Sequence, residues 1–199
     1  MHKRIECVVV GPIETNCWLY KFENESSDKQ ACAVIDPGDE AAKIISSLQK
    51  LNWVPRYILL THGHWDHITA LPELFKAFGK GEEPPKIYIH RLDARHLKEN
   101  SLSINHFEEG DAIGSLRVLH TPGHTQGSVS LYDEKAGIIF TGDTLFEEDC
   151  GRTDLPGGSE DQMRQSLKRL LSLNEVTEVY PGHGPTTTIK DELHQMPQK

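Results

Sequence analysis

What this chain has little of limits what it can be. It carries four cysteines in 199 residues, Cys7, Cys17, Cys32 and Cys150. No two stand at Cys-x-x-Cys spacing, so neither a zinc finger nor a disulfide framework organises it, and a reducing compartment suits the free thiols. No apolar run is long enough to span a bilayer, for which ~20 residues are needed. Met1-His2-Lys3-Arg4-Ile5-Glu6 leads straight into a strand-like segment, without the ~7–15 apolar residues of a secretory signal. A soluble cytoplasmic protein is therefore expected. Basic residues are in deficit: 21 Lys and Arg against 30 Asp and Glu leave a net charge of −9. A nucleic acid or anionic membrane would have to bind against that field, and neither is expected as a partner.

A chain of this length buries roughly 70% of its unfolded surface and needs no staple. No shift in composition marks a second domain, so one domain over residues 1–199 is expected. Ile5 to Gly11, Asn16 to Phe22 and Ala31 to Asp36 are short runs rich in Val, Ile, Trp and Tyr that read as an opening meander of strands. Glu23 to Lys29 fits a hairpin loop, and Asp36-Pro37-Gly38-Asp39 is turn chemistry. Asp39 is placed to cap a helix Glu40 to Leu51, in which Ile44, Ile45, Leu48 and Leu51 recur near helical spacing. Further strands are expected to Leu60, over Ile87 to Ile89, Ser115 to Leu119, Gly127 to Tyr132, Gly137 to Phe140 and Glu178 to Tyr180. Helices are expected from Asp66 to about Phe78, over Asp93 to Asn100 and over Glu160 to Leu173. Ser101 to Asp111 shows no period and reads as a loop, with His106 a surface residue. Strand followed by helix recurs in two halves, which points to a layered sandwich with a site along one rim.

What the chain does have is histidine, 11 in all, and three of them fall in Thr61-His62-Gly63-His64-Trp65-Asp66-His67. This stretch follows the buried strand Tyr57-Ile58-Leu59-Leu60. In extended chain, residues two apart project to one side, so His62 and His64 can grip one ion. Asp66 and His67 open the next helix and can face a second ion. Trp65 between them reads as packing against the strand, with lining a pocket as the alternative. His124 in Thr121-Pro122-Gly123-His124, Asp143 in Gly142-Asp143-Thr144 and His183 in Pro181-Gly182-His183-Gly184 each follow a predicted strand. Glycine-rich turns often carry one polar residue by chance, but five histidines and two aspartates, all just past strand ends, point to a metal centre.

His62-x-His64-x-Asp66-His67 followed in order by His124, Asp143 and His183 resembles the metallo-β-lactamase superfamily over nearly the whole chain. That resemblance implies an α/β fold, a four-layer αββα sandwich of two mixed sheets flanked by helices. It implies two divalent metal ions, zinc first with iron or manganese as alternatives. One would be held by His62, His64 and His124, the other by Asp66, His67 and His183, with Asp143 bridging. Water shared by two such ions gives up a proton far more readily than bulk water, and Asp66 is implied as the catalytic group that orients it.

Phe140 to Phe146 with Cys150-Gly151-Arg152-Thr153-Asp154 is similar to the glyoxalase II branch, the hydroxyacylglutathione hydrolases, and Pro181 to Pro185 to its short bacterial members. The implied substrate is a small-molecule thioester. Longer members add a C-terminal helical glutathione-binding domain, which residues 186–199 are too few to form. They also carry a lysine and a tyrosine where this chain has Arg152 and Asp154. Arg152 either binds a substrate carboxylate or oxyanion as a forked donor or pairs with Asp154. Cys150 reads as a small buried hydrophobe before a nucleophile. The chain is also similar to persulfide dioxygenases, which share the Gly-Arg-Thr-Asp stretch and hold one iron by the equivalents of His62, His124 and Asp143. A scaffold that has lost its chemistry is a third class, but such relatives drop ligands and none is missing here.

Overall fold

The computed structural model of the chain describes residues 4–22, 30–80, 83–97 and 102–195. Strands β1 (Ile5–Val10), β2 (Thr15–Lys21), β3 (Ala31–Ile35), β4 (Val54–Leu59), β5 (Lys86–His90) and β6 (Ile104–Phe107) form one mixed sheet in that order. The first three strands run antiparallel to one another, and β3 to β6 pair in parallel. Helix α1 (Ala41–Leu51) joins β3 to β4, and α2 (Trp65–Ile68) with α3 (Leu71–Phe78) joins β4 to β5. The second sheet is built from β7 (Ala112–Ile113), β8 (Leu116–His120), β9 (Val129–Asp133), β10 (Ile138–Gly142), β13 (Glu178–Pro181) and β14 (Thr187–Thr188). Between β10 and β13 lie the small hairpin β11 (Leu145–Phe146) and β12 (Asp149–Cys150) and then helix α4 (Glu160–Leu170), while α5 (Ile189–Gln195) follows β14.

The layering follows from alternation along the strands. Trp18 and Tyr20 of β2 join Ile35, Leu59, Leu116, Val118, Leu131, Ile138 and Phe140 in a core between the sheets. Cys17 and Leu19, one residue out of phase, face the other way with Val34, Ile58 and Ile87, and are covered by Ile44 and Leu48 of α1 and Leu71 and Leu74 of α3. Leu119, Ile139 and Val179 face outward from the second sheet beneath Leu170 of α4 and Ile189 of α5. The result is helix, sheet, sheet, helix.

Several expectations need correction. The helix expected from Asp66 to Phe78 is two pieces. Pro72 stands at the start of α3 and cannot donate back to the carbonyl four residues earlier, and the Ala70 amide bonds the Pro37 carbonyl instead, at 3.0 Å. Asp39 does not cap α1: the flanking residue is Glu40, left-handed at φ 46°, and Asp39 Oδ1 accepts from the Glu40 amide at 2.6 Å. The loop expected over Ser101 to Asp111 contains β6, whose partner is supplied across the chain by β5, a pairing no local period announces. His106 lies exposed on it, as expected. The helix expected at Asp93 is one 3₁₀ turn, Ala94–His96, because Asp93 is committed elsewhere. The helix expected to Leu173 ends at Leu170, and the short pieces β7, β11, β12, β14 and α5 went unread. The hairpin insert at residues 23–29 and residues 98–100 fall outside the described residues. No helix among those described is long and apolar enough to cross a membrane.

Candidate metal centre

Strand ends from both sheets deliver the predicted side chains to one rim. His62, His64, Asp66 and His67 come from the segment after β4, and His124, Asp143 and His183 from the segments after β8, β10 and β13. Backbone hydrogen bonds fix the two sheets together there: Val129 donates to the Thr61 carbonyl at 2.9 Å, and Asn16 to that of Gly182 at 2.7 Å.

All seven predicted residues meet. His62, His64 and His124 offer one donor atom each within 4.8 Å of one another, and so do Asp66, His67 and His183. Asp143 stands between the two groups: its Oδ1 is 3.4 Å from His67 Nε2, and its Oδ2 is 3.5 Å from His124 Nε2 and 3.7 Å from His183 Nε2. Asp66 Oδ2 lies 3.2 Å from both His67 Nε2 and His183 Nε2.

The far side of most rings is tied down, which sets the tautomer. Thr61 Oγ1 donates to Asp36 Oδ2 at 2.6 Å, so it is an acceptor toward His62 Nδ1 at 3.1 Å. His67 Nδ1 faces Asp36 Oδ2 at 3.0 Å. His124 Nδ1 donates to the Arg152 carbonyl at 2.8 Å, and His183 Nδ1 to that of Ile13 at 3.1 Å. The rings of His62, His124 and His183 therefore present their Nε2 lone pairs inward, as a metal ligand must, and His67 turns Nε2 inward with Nδ1 against the Asp36 carboxylate. His64 contributes Nδ1, only 2.8 Å from His124 Nε2.

Three buried atoms facing the centre, His62 Nε2, His67 Nε2 and Asp143 Oδ1, have no hydrogen-bond partner, and neither has His67 Nδ1 on the far side of its ring. Leaving such atoms bare costs ~1–3 kcal/mol each, and a cation between the three inward lone pairs removes the cost there. A divalent ion therefore fits the donor set.

The electrostatics divide the site. Burial lowers His67 and His183, but Asp143 and Asp36 outweigh it at His67, and Asp66 and Asp143 at His183, so both are raised by carboxylates that a bound cation would neutralise. Burial, helped by His67, pushes His62 well below its ordinary value, and burial with His124 lowers His64, so both favour the neutral, ligating form. Burial lifts the Asp143 carboxyl, but His67, His62 and His183 outweigh it and hold the group well below the usual carboxylate range. Burial likewise lifts Asp66, and His183 and His67 more than reverse it.

Comparison with known proteins now bears on the arrangement: residues 10–183 match the model of the metallo-beta-lactamase superfamily. The chain belongs to that superfamily. Among its relatives, a probable metallo-hydrolase of Bacillus subtilis, YqgX, is 38% identical, over 94% of this chain and 93% of that one. The hydroxyacylglutathione hydrolase GloC of Haemophilus influenzae is 32% identical over 97% and 96%. Of solved structures, TTHA1623 in a di-iron-bound form superimposes with a TM-score of 0.86 at 37% identity, over 96% of this chain and 98% of that one. The B3 metallo-beta-lactamase BLEG-1 gives 0.84 at 33% identity over 97% and 98%. The protein is thus a metal-dependent hydrolase of the metallo-beta-lactamase superfamily with the αββα fold.

Of three residues near this rim, Arg152 takes the second of its two expected readings, Cys150 is no nucleophile, as expected, and Trp65 departs from expectation. Arg152 is 62% exposed and forks onto Asp154, both bonds 2.7 Å, pulling that carboxyl down to about 2. Its backbone, through His124, is what touches the centre. Cys150 pairs with Leu145 in the small hairpin, and burial, then Asp149, pushes its thiol up, away from nucleophilic use. Trp65 does not pack against the strand: α2 is a single turn whose Asp66 and His67 take the buried side, leaving the indole 56% exposed.

Two carboxylates were missed. Asp36, 1% exposed, holds the Thr61 amide at 2.7 Å as well as Thr61 Oγ1 and His67. Asp93, also buried, accepts from the Gly63 and Gly127 amides, each at 2.9 Å, and from Thr125 Oγ1 at 2.6 Å, locking the first histidine loop to that of His124. The only signal in the sequence was an aspartate just after a predicted strand, which at Asp36 reads equally as turn chemistry.

Proposed function

We propose that this protein is a thioester hydrolase of the glyoxalase II type. It works as a single-domain cytoplasmic enzyme on S-2-hydroxyacylglutathione-like small molecules, with two divalent ions, zinc first. The observation that carries the reading is Asp143 between two three-residue donor groups, within 3.7 Å of His67, His124 and His183. The assignment would place one ion on His62, His64 and His124, the other on Asp66, His67 and His183, with Asp143 shared. Likeness to GloC along nearly the full chain supports the substrate class.

When bound, the ions supply Lewis acidity that favours deprotonation of water and offsets charge on a carbonyl oxygen under attack. The chain does the rest. Asp66, held ionised, receives the Thr15 hydroxyl at 3.3 Å on Oδ2 and keeps that oxygen over His67 and His183. There it orients water and takes its proton. The Arg152 and Ile13 carbonyls keep His124 and His183 in the required tautomer. A carboxylate held ionised at neutral pH carries no proton to hand to a leaving group. That favours a leaving group that departs unprotonated, such as a thiolate, whose thiol has a pKa near ~8.5, over an amide nitrogen.

The stretch Gly151-Arg152-Thr153-Asp154 supports a second reading, a one-iron persulfide dioxygenase using His62, His124 and Asp143. Purified protein is tested with S-lactoylglutathione, glutathione persulfide and a β-lactam, with metal analysis alongside. Thioester cleavage with about two ions per chain is expected. Oxygen uptake with one iron, or lactam cleavage alone, overturns the reading.

A further inference from the structure

Beside the centre lies a cavity of about 240 Å³ whose walls include Trp65, Ile68, Leu71, Leu97 and Leu102. It adjoins the first donor group through two independent contacts. Trp65 is the residue between His64 and Asp66, and His96, also in the wall, packs onto the histidine loop. A Cβ on Gly63 would stand 2.9 Å from His96 Cδ2, and the His96 and His64 rings are 6.4 Å apart. Among the described residues no lysine, arginine or carboxylate lines the cavity. An indole left 56% exposed beside a metal centre is unusual for a residue of its size; a ligand that covers it gains apolar burial.

We infer that this cavity receives the acyl tail of the substrate, so that the preferred thioesters carry an aliphatic or aryl-aliphatic acyl group larger than lactoyl. The inference rests on the thioesterase reading and names its substrate class. With the carbonyl at the metal centre, the two substituents of a thioester leave in different directions. A polar, charged thiol carrier such as glutathione gains little from leucine, isoleucine, proline and indole, with no lysine, arginine or carboxylate among the described lining residues, whereas an alkyl chain gains from them. Burying one methylene contributes about 0.8 kcal/mol, which is about fourfold in kcat/KM.

The test uses the metal-loaded protein and has two arms. In the first, kcat/KM is measured for acetyl, butanoyl, hexanoyl and octanoyl thioesters of one thiol. It is expected to rise about fourfold per methylene until the cavity is full, and Leu97→Asn is expected to flatten the rise. In the second, the matching carboxylates are titrated against Trp fluorescence. Trp18 and Trp53 are buried at 6% exposure, so the signal is expected from Trp65, to tighten with chain length, and to vanish in Trp65→Phe. If thioesters are cleaved but neither rate nor binding depends on chain length, the inference is overturned while the thioesterase reading stands. If no thioester is cleaved, that reading fails, and the titration alone decides the cavity: octanoate binding more tightly than acetate supports it, equal binding overturns it.

Discussion

Asp36→Asn isolates how a residue outside the seven proposed ligands controls a metal centre. The carboxylate is 1% exposed, accepts from the Thr61 amide at 2.7 Å and Thr61 Oγ1 at 2.6 Å, and stands 3.0 Å from His67 Nδ1 as an ion pair. Asparagine has nearly the same shape but only one accepting oxygen, and its NH₂ must face a former donor. If that donor is His67 Nδ1, the ring regains a bond only by moving its proton to Nε2, the atom 3.2 Å from Asp66 Oδ2 and 3.4 Å from Asp143 Oδ1. An N–H then points where a lone pair is needed. The NH₂ in that place also faces Thr61 Oγ1, whose proton is then free to turn toward His62 Nδ1 and reverse the tautomer of that ring. At either ring, a residue supporting a ligand is lost, a change worth ~10–100-fold in metal affinity. Competition titration with a chromophoric chelator reads this directly, with circular dichroism to show that the fold persists. A folded Asp36→Asn protein binding both ions at wild-type affinity refutes the tautomer argument.

Other outcomes are equally specific. Asp143→Ala should lose metal and hydrolysis together, by more than the ~10–100-fold of a supporting residue, as checked by elemental analysis of the purified variant. Asp66→Asn should lower kcat by about 10²–10⁴-fold with a far smaller effect on thermal unfolding; unchanged turnover would place the base elsewhere. In Gly182→Ala the new Cβ would collide with Asp143 Oδ1 and stand 2.8 Å from His67 Cε1. An overpacking cost of ~1–3 kcal/mol and weakened metal retention are expected from calorimetry and metal analysis. Away from the site, Tyr20 donates to buried Asp133 at 2.7 Å. Burial lifts that carboxyl, but Ser115, Tyr20 and the Ala136 amide outweigh it and hold it below its ordinary range. A depressed carboxyl stabilises fully above its unfolded value near ~3.9 and loses that contribution as pH falls through the folded one. Tyr20→Phe should therefore cost ~1.5–3 kcal/mol near neutrality, and the gap in urea unfolding should shrink in acid. A gap independent of pH would refute the pairing.

The donor set was legible because its signal is local: His62-x-His64-x-Asp66-His67 is a spacing, and His124, Asp143 and His183 each follow a readable strand. The two-sheet layering was legible from strand followed by helix recurring in two halves and from the family resemblance; which layer each face of β2 meets was not, because Cys17, Trp18, Leu19 and Tyr20 are all apolar. What escaped depends on distant partners. Asp36 acts on residues 25 and more positions away, Asp93 on loops about 30 away on either side of the fold, and no spacing rule spans that. Strand β6 exists because β5 lends it hydrogen bonds. The break between α2 and α3 was available in Pro72 and was outweighed by an apolar period that continues across it. Trp65 was misplaced because one turn of helix has room for a single buried face, already given to Asp66 and His67.

The central claim is that seven side chains at one rim seat a pair of cations. Anomalous diffraction from crystals of the metal-loaded protein tests it most directly. Two peaks are predicted, one among His62, His64 and His124, the other among Asp66, His67 and His183, with Asp143 touching both. A single peak, or ions bound away from these residues, would contradict it.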